Sequence, residues 1–537
     1  MRAVNLMQHR NIVIVGAGLG GLLCGALLAK EGYQVTVLEK NKQIGGSLQS
    51  FGIEGQLFES AVHYIGSLQK GQTLYKIFNY LDIVDKISLK KLDEQCFDKI
   101  IINHKTYSMA QGYENFIETL AIEFPHQQEN LAKYIREIKT VCSHFPLYNM
   151  RVGSVTEKMK VAHFGLKEKI DELISDELLK QILTGNNLLY ASHYETTPFY
   201  IHALIENSYI ESSWKCTKGS IQIAKSLQEI IQLHGGQVLR NQEVIQIQET
   251  NGVIASVTTS QQQQFKADVL ISNLHPGLTY SLLDTKVIKP ITRKRILSTP
   301  NTASALMVNI TLQPKKILYQ NNNIYYHKKP DVWLDLDANN QETPNSYAIF
   351  FYQDTQDQTY ARGLSILVYM SAERFSAWQH TQRTTSNKAT RGNDYVLLKN
   401  EIGKAIIQEV ETILMGLTDA VSEMDVCTPL SYRDYLNIPN GSMYGLQKNV
   451  NDLANTTYAT RTKIPNLFLT GQNINMHGIL GVSITALLTV SEITGLDYLV
   501  EKINWIIDFC NILIQYQRHS TSRNQRSVHI ESRTNTV

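Results

Sequence analysis

Hydrophobic and polar positions along the chain change rhythm several times, and each rhythm implies a different element. Residues 11–15, Asn-Ile-Val-Ile-Val, form an unbroken and largely β-branched run, the pattern of a strand buried on both faces of a parallel sheet. A helix is expected over 19–30 and a second strand over 34–38, Gln-Val-Thr-Val-Leu. From 74 to 209 the spacing shifts to threes and fours. Segments 112–124, 130–141 and 167–183 carry apolar residues with charges between them, which predicts amphipathic helices and a largely helical insertion. A glycine-led helix begins at Lys218 and Gly219, and Gly235-Gly236 marks a turn followed by strand material through Ile247. Residues 265–275 read as a buried strand leaving its sheet, with Pro276 barring its continuation. Three β-rich runs, 303–312, 346–352 and 364–370, are separated by polar loops, so an antiparallel sheet is expected there. An exposed loop over 381–393 then precedes a long helix over 395–417. Near the end, a short apolar strand stops at Gly471 and an apolar helix starts near Gly478. Residues 496–517 fit a further helix, and the serine- and arginine-rich stretch 518–537 is expected to be disordered.

Composition narrows this picture at a few points. A chain of 537 residues buries a large core and divides into two or more domains, and 43% hydrophobic with 19% charged residues places it in the ordinary soluble globular class. A net charge of +2 argues against nucleic acid as the main partner. The six cysteines lie far apart, in neither C-x-x-C pairs nor zinc-like spacing, so no metal site is expected and a reduced, cytoplasmic compartment fits best. The first ten residues lack the apolar core of a signal peptide, and no stretch reads as a membrane span. Peripheral contact of the 496–517 helix with a membrane stays open, although its weakly basic polar face favours packing on its own protein.

Candidate chemistry changes the picture at the two ends. After the first strand comes Gly16-Ala-Gly18-Leu-Gly-Gly21. Gly16 suits a tight turn, Gly18 admits a pyrophosphate close to the backbone, and Gly21 lets the helix lie on the strand. The helix start then faces the phosphates with free N–H groups and a positive dipole end. Glu39 ends the second strand at about the twenty-residue offset where a carboxylate binds the ribose hydroxyls. NAD and FAD both fit this much. The paired Gly45-Gly46 beyond Glu39 resembles the second diphosphate contact of the two-dinucleotide-binding-domain flavoproteins, and that resemblance implies FAD. The second strong motif, Thr470-Gly471-Gln-Asn473 through His477-Gly478-Ile-Leu-Gly481, is similar to the carboxyl-terminal FAD motif of the same family, in which a helix start faces the flavin.

The segment 51–66, with His63 and Tyr64, resembles the phytoene desaturase, carotenoid isomerase and retinol saturase branch. The chain departs from it at Ser47, where relatives often carry Arg, and at Ala61, where Gly is common. The resemblance implies an α/β fold. A discontinuous Rossmann-type FAD domain would take 1–73, 210–288 and 458–500, and an α+β substrate domain would take 74–209 and 289–457, followed by a helix over 501–517 and a tail over 518–537. It implies that Gly16, Gly18, Gly21, Glu39, Gly45, Gly46, Val244, Gly471, Asn473, His477, Gly478 and Gly481 hold the cofactor, with Val244 at the adenine. His63 and Tyr444 are the candidate catalytic acids, and His275 before its proline reads as structural. The function implied is an FAD-dependent oxidoreductase acting on a long apolar isoprenoid, a carotenoid or retinoid, by hydride exchange at flavin N5. A flavin amine oxidase and a non-catalytic prenyl-binding escort share the fold and remain the alternatives. No second G-x-G-x-x-G occurs, so the electron donor or acceptor is unknown.

Overall fold

Strand Asn11–Val15 sits at the centre of a five-stranded, wholly parallel sheet because both of its faces are apolar. The order across the sheet is Gln237–Leu239, Gln34–Leu38, Asn11–Val15, Val269–Ser272, Leu467–Leu469. Ile12 and Ile14 point to one side, into a core shared with helices Leu19–Lys30, Ile221–Leu233 and Gly478–Thr494. Val13 and Val15 point to the other, against a second sheet of Val244–Thr250, Val253–Thr259, Gln264–Lys266 and Leu283–Asp284. The strand material after Gly235 therefore divides between two sheets. This computed structural model describes residues 10–154, 156–191, 193–333, 344–384 and 390–505. The expected tail, and the helix beyond Trp505, lie outside the described residues.

A seven-stranded sheet forms the other half of the molecule, in the order Val421–Cys427, Ala305–Leu312, Ala361–Tyr369, Ser346–Gln353, Asn323–His327, Asp98–Ile102, Lys105–Met109. The period-two alternation of a strand sorts its side chains. Leu306, Val308, Ile310 and Leu312 pack on the long helix Asn393–Glu411, while Ala305, Met307, Tyr325, Ala348, Phe350 and Leu367 face the core shared with the helical segments. The sheet is mixed and not purely antiparallel, since Asn323–His327 runs parallel to Asp98–Ile102. Its last two strands come from the segment expected to be helical: the run Ile100-Ile101-Ile102 pairs back through a tight turn whose residues Asn103 and His104 have φ of +49° and +63°, the left-handed pair that a two-residue hairpin requires.

Helices account for most of the remaining insertion, including Tyr113–Glu123, Gln128–Ser143 and Phe199–Glu211. The helix expected over 167–183 is two helices, Leu166–Leu173 and Glu177–Leu183, because the Asp176 side chain accepts from the N–H groups of Leu178 and Leu179 and starts a new helix there. The long helix ends at Glu411, short of the expected 417. Among the described residues no single helix is long and apolar enough to cross a membrane. Gly478–Thr494 and Leu496–Trp505, bent by 119°, have the length and composition only together.

Candidate active site, a dinucleotide cleft joined to an apolar chamber

The parallel sheet reverses its order at Asn11–Val15, with Gln34–Leu38 on one side and Val269–Ser272 on the other. A ligand crevice is expected outside the carboxyl ends of the strands at such a point, and a cleft of about 460 Å³ lies there. Gly16, Gly18, Glu39, Gly45, Gly46, Val244, Tyr444, Gly471, Asn473 and Gly478 all line it. The two chain ends, more than four hundred residues apart in sequence, thus meet at one site.

Its shape is set by backbone. Gly16 turns the chain at φ +97°, and a Cβ on Gly21 would lie 2.1 Å from the Gly16 carbonyl oxygen, so Gly21 supports the loop from behind without lining the cleft. A Cβ on Gly46 would come within 3.2 Å of Gly18 Cα, so the paired glycines abut the first glycine loop. Asn273, at the end of its strand, is the residue they all crowd: a Cβ on Gly18, Gly20 or Gly471 would reach its side chain at 2.9, 2.6 or 2.5 Å. Helices Leu19–Lys30 and Gly478–Thr494 both begin here without a side-chain hydrogen bond at their N-caps, Gly18 and His477, which leaves their first N–H groups for a ligand.

Glu39 is buried, and its oxygens accept from the N–H of Ala17 at 2.9 Å and of Asn41 at 2.8 Å. Burial raises its pKa above the usual carboxylate value, while those bonds pull it back. Each oxygen keeps a lone pair for a hydroxyl. Asn473 accepts from the N–H of Leu446 at 3.1 Å, fixing the loop after Tyr444. These features fit a flavin dinucleotide: glycines where any side chain would intrude, two uncapped helix starts and the buried Glu39 carboxylate.

A second cavity, of about 180 Å³, continues from the first. Ala61, Val62, Tyr444, Gly478 and Ile479 line both, so they form the junction. His63, His477 and Gly481 line only the second; a Cβ on Gly481 would sit 2.6 Å from Met476 Cβ, so it is a packing glycine of the helix start. The rest of the lining is largely apolar, with Phe350 and Leu367 from the large sheet and Leu188, Leu204 and Ile205 from the helical insertion. Among the described residues no Asp or Glu lines it.

The chamber histidines are neutral. His63 stacks on Phe350 with ring centroids 3.9 Å apart, its Nδ1 is 3.4 Å from the Tyr352 hydroxyl, and its Nε2 has no partner. Burial, with Lys215 nearby, pushes its pKa down to about 3, so an imidazolium there is not populated near neutrality and an acid role could not start from that form. His477 bonds the Leu189 carbonyl at 3.0 Å and is pushed down to about 4 by burial. Tyr444 donates to the Leu188 carbonyl at 2.6 Å, and burial raises its pKa. His275 caps the helix Pro276–Ser281, accepting from the Gly277 N–H at 3.1 Å, in keeping with a structural role.

Sequence reasoning missed Asn273, Tyr325, Asp98 and Lys215. A polar residue at the carboxyl end of a buried parallel strand was the available signal for Asn273. The others carry no local motif. They belong to strands paired across long sequence separations, Asn323–His327 with Asp98–Ile102 and Ser213–Cys216 with Leu89–Lys91.

Comparison with known proteins agrees with this geometry. The description "Flavin containing amine oxidoreductase" matches residues 19–481. The chain is 26% identical to an all-trans-retinol 13,14-reductase of Danio rerio over 91% of this chain and 87% of that protein. It is 27% identical to the protein of the same name from Rattus norvegicus, over 90% and 86%. Among solved structures, an oxidoreductase from Methanosarcina mazei superposes with a TM-score of 0.60 at 17% identity, covering 89% of this chain and 99% of that one, a likeness of fold.

Proposed function

The chain belongs to the flavin containing amine oxidoreductase family, and from that premise we propose that this FAD-dependent oxidoreductase reduces a C=C bond in a long apolar isoprenoid, a retinoid or carotenoid. The observation that carries this reading is the junction at Ala61, Val62, Tyr444 and Gly478, where an apolar chamber opens onto the end of the dinucleotide cleft. Relatives named for retinol reduction over nine-tenths of the chain support the same direction.

In this reading Glu39 holds the ribose hydroxyls, the backbone at Gly18 and Gly46 the diphosphate, and Val244 the adenine. The helix start at Gly478, with Gly471 and Asn473, faces the ring. FAD, when bound, supplies the exchangeable electron pair. The chain's part is to exclude water, align the polyene and provide a proton. Phe350, Leu367, Leu188 and Ile205 desolvate the substrate, and His63 and Tyr444 stand at the ring end as neutral hydrogen-bonding groups. Oxidation of an amine fits less well, because a cationic substrate would meet Lys158 and no carboxylate on the chamber lining. A non-catalytic prenyl escort would have no use for an intact glycine-walled cleft. Peripheral contact with a lipid surface goes with so apolar a substrate.

The test is to purify the protein, record its visible spectrum, and incubate it with retinoids and carotenoids under reducing and oxidising conditions. A yellow protein whose product gains two hydrogens under reducing conditions is expected. A colourless protein, or one that instead oxidises an added amine with release of peroxide, overturns the proposal.

A further inference from the structure

One chamber wall backs onto a buried carboxyl. Asp98, the first residue of its strand, is fully buried, and its Oδ2 accepts from the Tyr64 hydroxyl at 2.8 Å while its Oδ1 accepts from Asn323 Nδ2 at 2.8 Å. The Tyr64 hydroxyl is also 2.8 Å from that of Tyr325. Both tyrosines line the chamber, and the Tyr325 hydroxyl has no other hydrogen-bond partner among the described residues. Three oxygens thus form a chain from the core to the substrate space.

A buried carboxylate is unfavourable unless it is paired, so such a group takes up a proton instead. Burial pushes Asp98 up to about 7, against the opposing pull of Asn323, Tyr64, Lys215 and Asn186. Lys215 is itself pushed down to about 7 by burial, and its Nζ rests on the Phe351 carbonyl at 3.4 Å. From the helix Phe199–Glu211, Glu206 and Tyr209 also face Asp98, and the Cys96 thiol lies beside it. Glu206 is raised to about 8, chiefly by burial, so it is largely protonated near neutrality.

We propose that Asp98, Tyr64 and Tyr325 form a proton relay into the chamber, with Tyr325 as the donor to the substrate and Asp98 as the reservoir behind it. The inference rests on polyene reduction as the reaction. With Asp98 protonated, its O–H donates to Tyr64 and that of Tyr64 to Tyr325, which leaves the Tyr325 hydrogen without an acceptor among the described residues. One carbon of the double bond gains a hydrogen together with the electron pair from the reduced flavin. The π bond breaks, and the neighbouring carbon takes the Tyr325 proton as a new C–H bond. Tyr325 is restored from Tyr64 and Tyr64 from Asp98. The resulting carboxylate is stabilised by Asn323 and by Lys215 in its protonated form until it regains a proton from solvent. Neither His63, held neutral, nor Tyr444, whose hydroxyl donates to the Leu188 carbonyl, is hydrogen-bonded to a carboxyl among the described residues.

The experiment uses the FAD-loaded full chain, with Tyr325→Phe and Asp98→Asn. Infrared difference spectra of the wild type should show a carboxylic acid band that titrates near pH 7 and is missing in D98N. In single turnovers of the reduced enzyme with a polyene, Y325F should be slower by about a hundredfold or more and lose the wild-type solvent deuterium isotope effect, while its flavin spectrum and its reoxidation by oxygen stay unchanged. Y325F removes one hydroxyl and keeps the ring, so it tests the relay even if D98N fails to fold. A wild-type rate and isotope effect in Y325F overturns the relay. So does an Asp98 that stays ionised throughout, a result that stands whether or not a substrate is found. Failure of the wild type to reduce any polyene overturns the functional reading instead.

Discussion

The cleft and the chamber share a wall at Tyr444 and Gly478 but are built from different material. The cleft is shaped by missing side chains, since a Cβ on Gly21 or Gly471 would run into neighbours at 2.1 or 2.5 Å, and its polar groups include two uncapped helix starts and the Glu39 carboxylate. The chamber is shaped by side chains that are present, leucines, isoleucines and aromatic rings from the large sheet and the helices. One region is specified position by position. The other is specified by volume and polarity, and that difference sets how each should respond to change.

The largest effect is expected in the cleft. Gly21→Ala forces a methyl group against the Gly16 carbonyl, backbone that cannot move aside, at a cost of about 3 kcal/mol or more. Its protein should purify without yellow colour, which ultrafiltration against added FAD would check; a normally loaded G21A would break the contrast. Next comes Glu39→Ala, which removes the carboxylate proposed to accept from the ribose hydroxyls; loss of that charged hydrogen bonding, about 2 kcal/mol, should weaken FAD binding roughly thirtyfold in a flavin fluorescence titration.

Acid separates the regions by another route. His63 has its pKa pushed down to about 3 in the folded chain, so the unfolded chain binds more protons below the ordinary histidine pKa of about 6.5. The stability contributed by a neutral His63 is fully present above that pH and is lost as pH falls. Its slope approaches about 1.4 kcal/mol per pH unit for the one group. His63→Phe keeps a ring on Phe350 and removes the titration. Urea midpoints between about pH 6 and pH 4 should therefore fall less steeply in H63F than in the wild type, and parallel slopes would refute a neutral buried His63. The smallest effect belongs to a volume-conserving change in the chamber. Leu367→Met should cost under about 1.5 kcal/mol in a thermal melt and leave the flavin spectrum intact, while shifting the preference among polyene chain lengths.

The same contrast explains what could be read from the sequence. The glycine loop, Glu39, Gly45-Gly46 and the Gly471–Gly481 segment are local patterns, and strand, turn and helix recur around them in fixed order, so much of the cleft lining was legible, although Gly21 lies behind it and His477 and Gly481 line only the chamber. The chamber had no such signature. Ile100 to Ile102 could belong to a helix or a strand until a distant partner, Tyr325 to His327, fixed its pairing. His63 and Tyr444 were visible as polar residues within motifs; Tyr444 lies at the junction and His63 on the chamber lining. Asp98 and Lys215 acquire their meaning from burial, which one-dimensional spacing does not record. The break at Asp176 was a capping signal overridden by the helical period around it.

Spectral coupling between the two cavities tests the account most directly. A retinoid added to the oxidised, FAD-loaded protein in the absence of reductant should bind without turnover and saturably perturb the flavin absorption bands, with the same dissociation constant that the retinoid's own fluorescence reports. Saturable retinoid binding that leaves the flavin spectrum untouched would place the apolar ligand away from the ring and contradict the joined site.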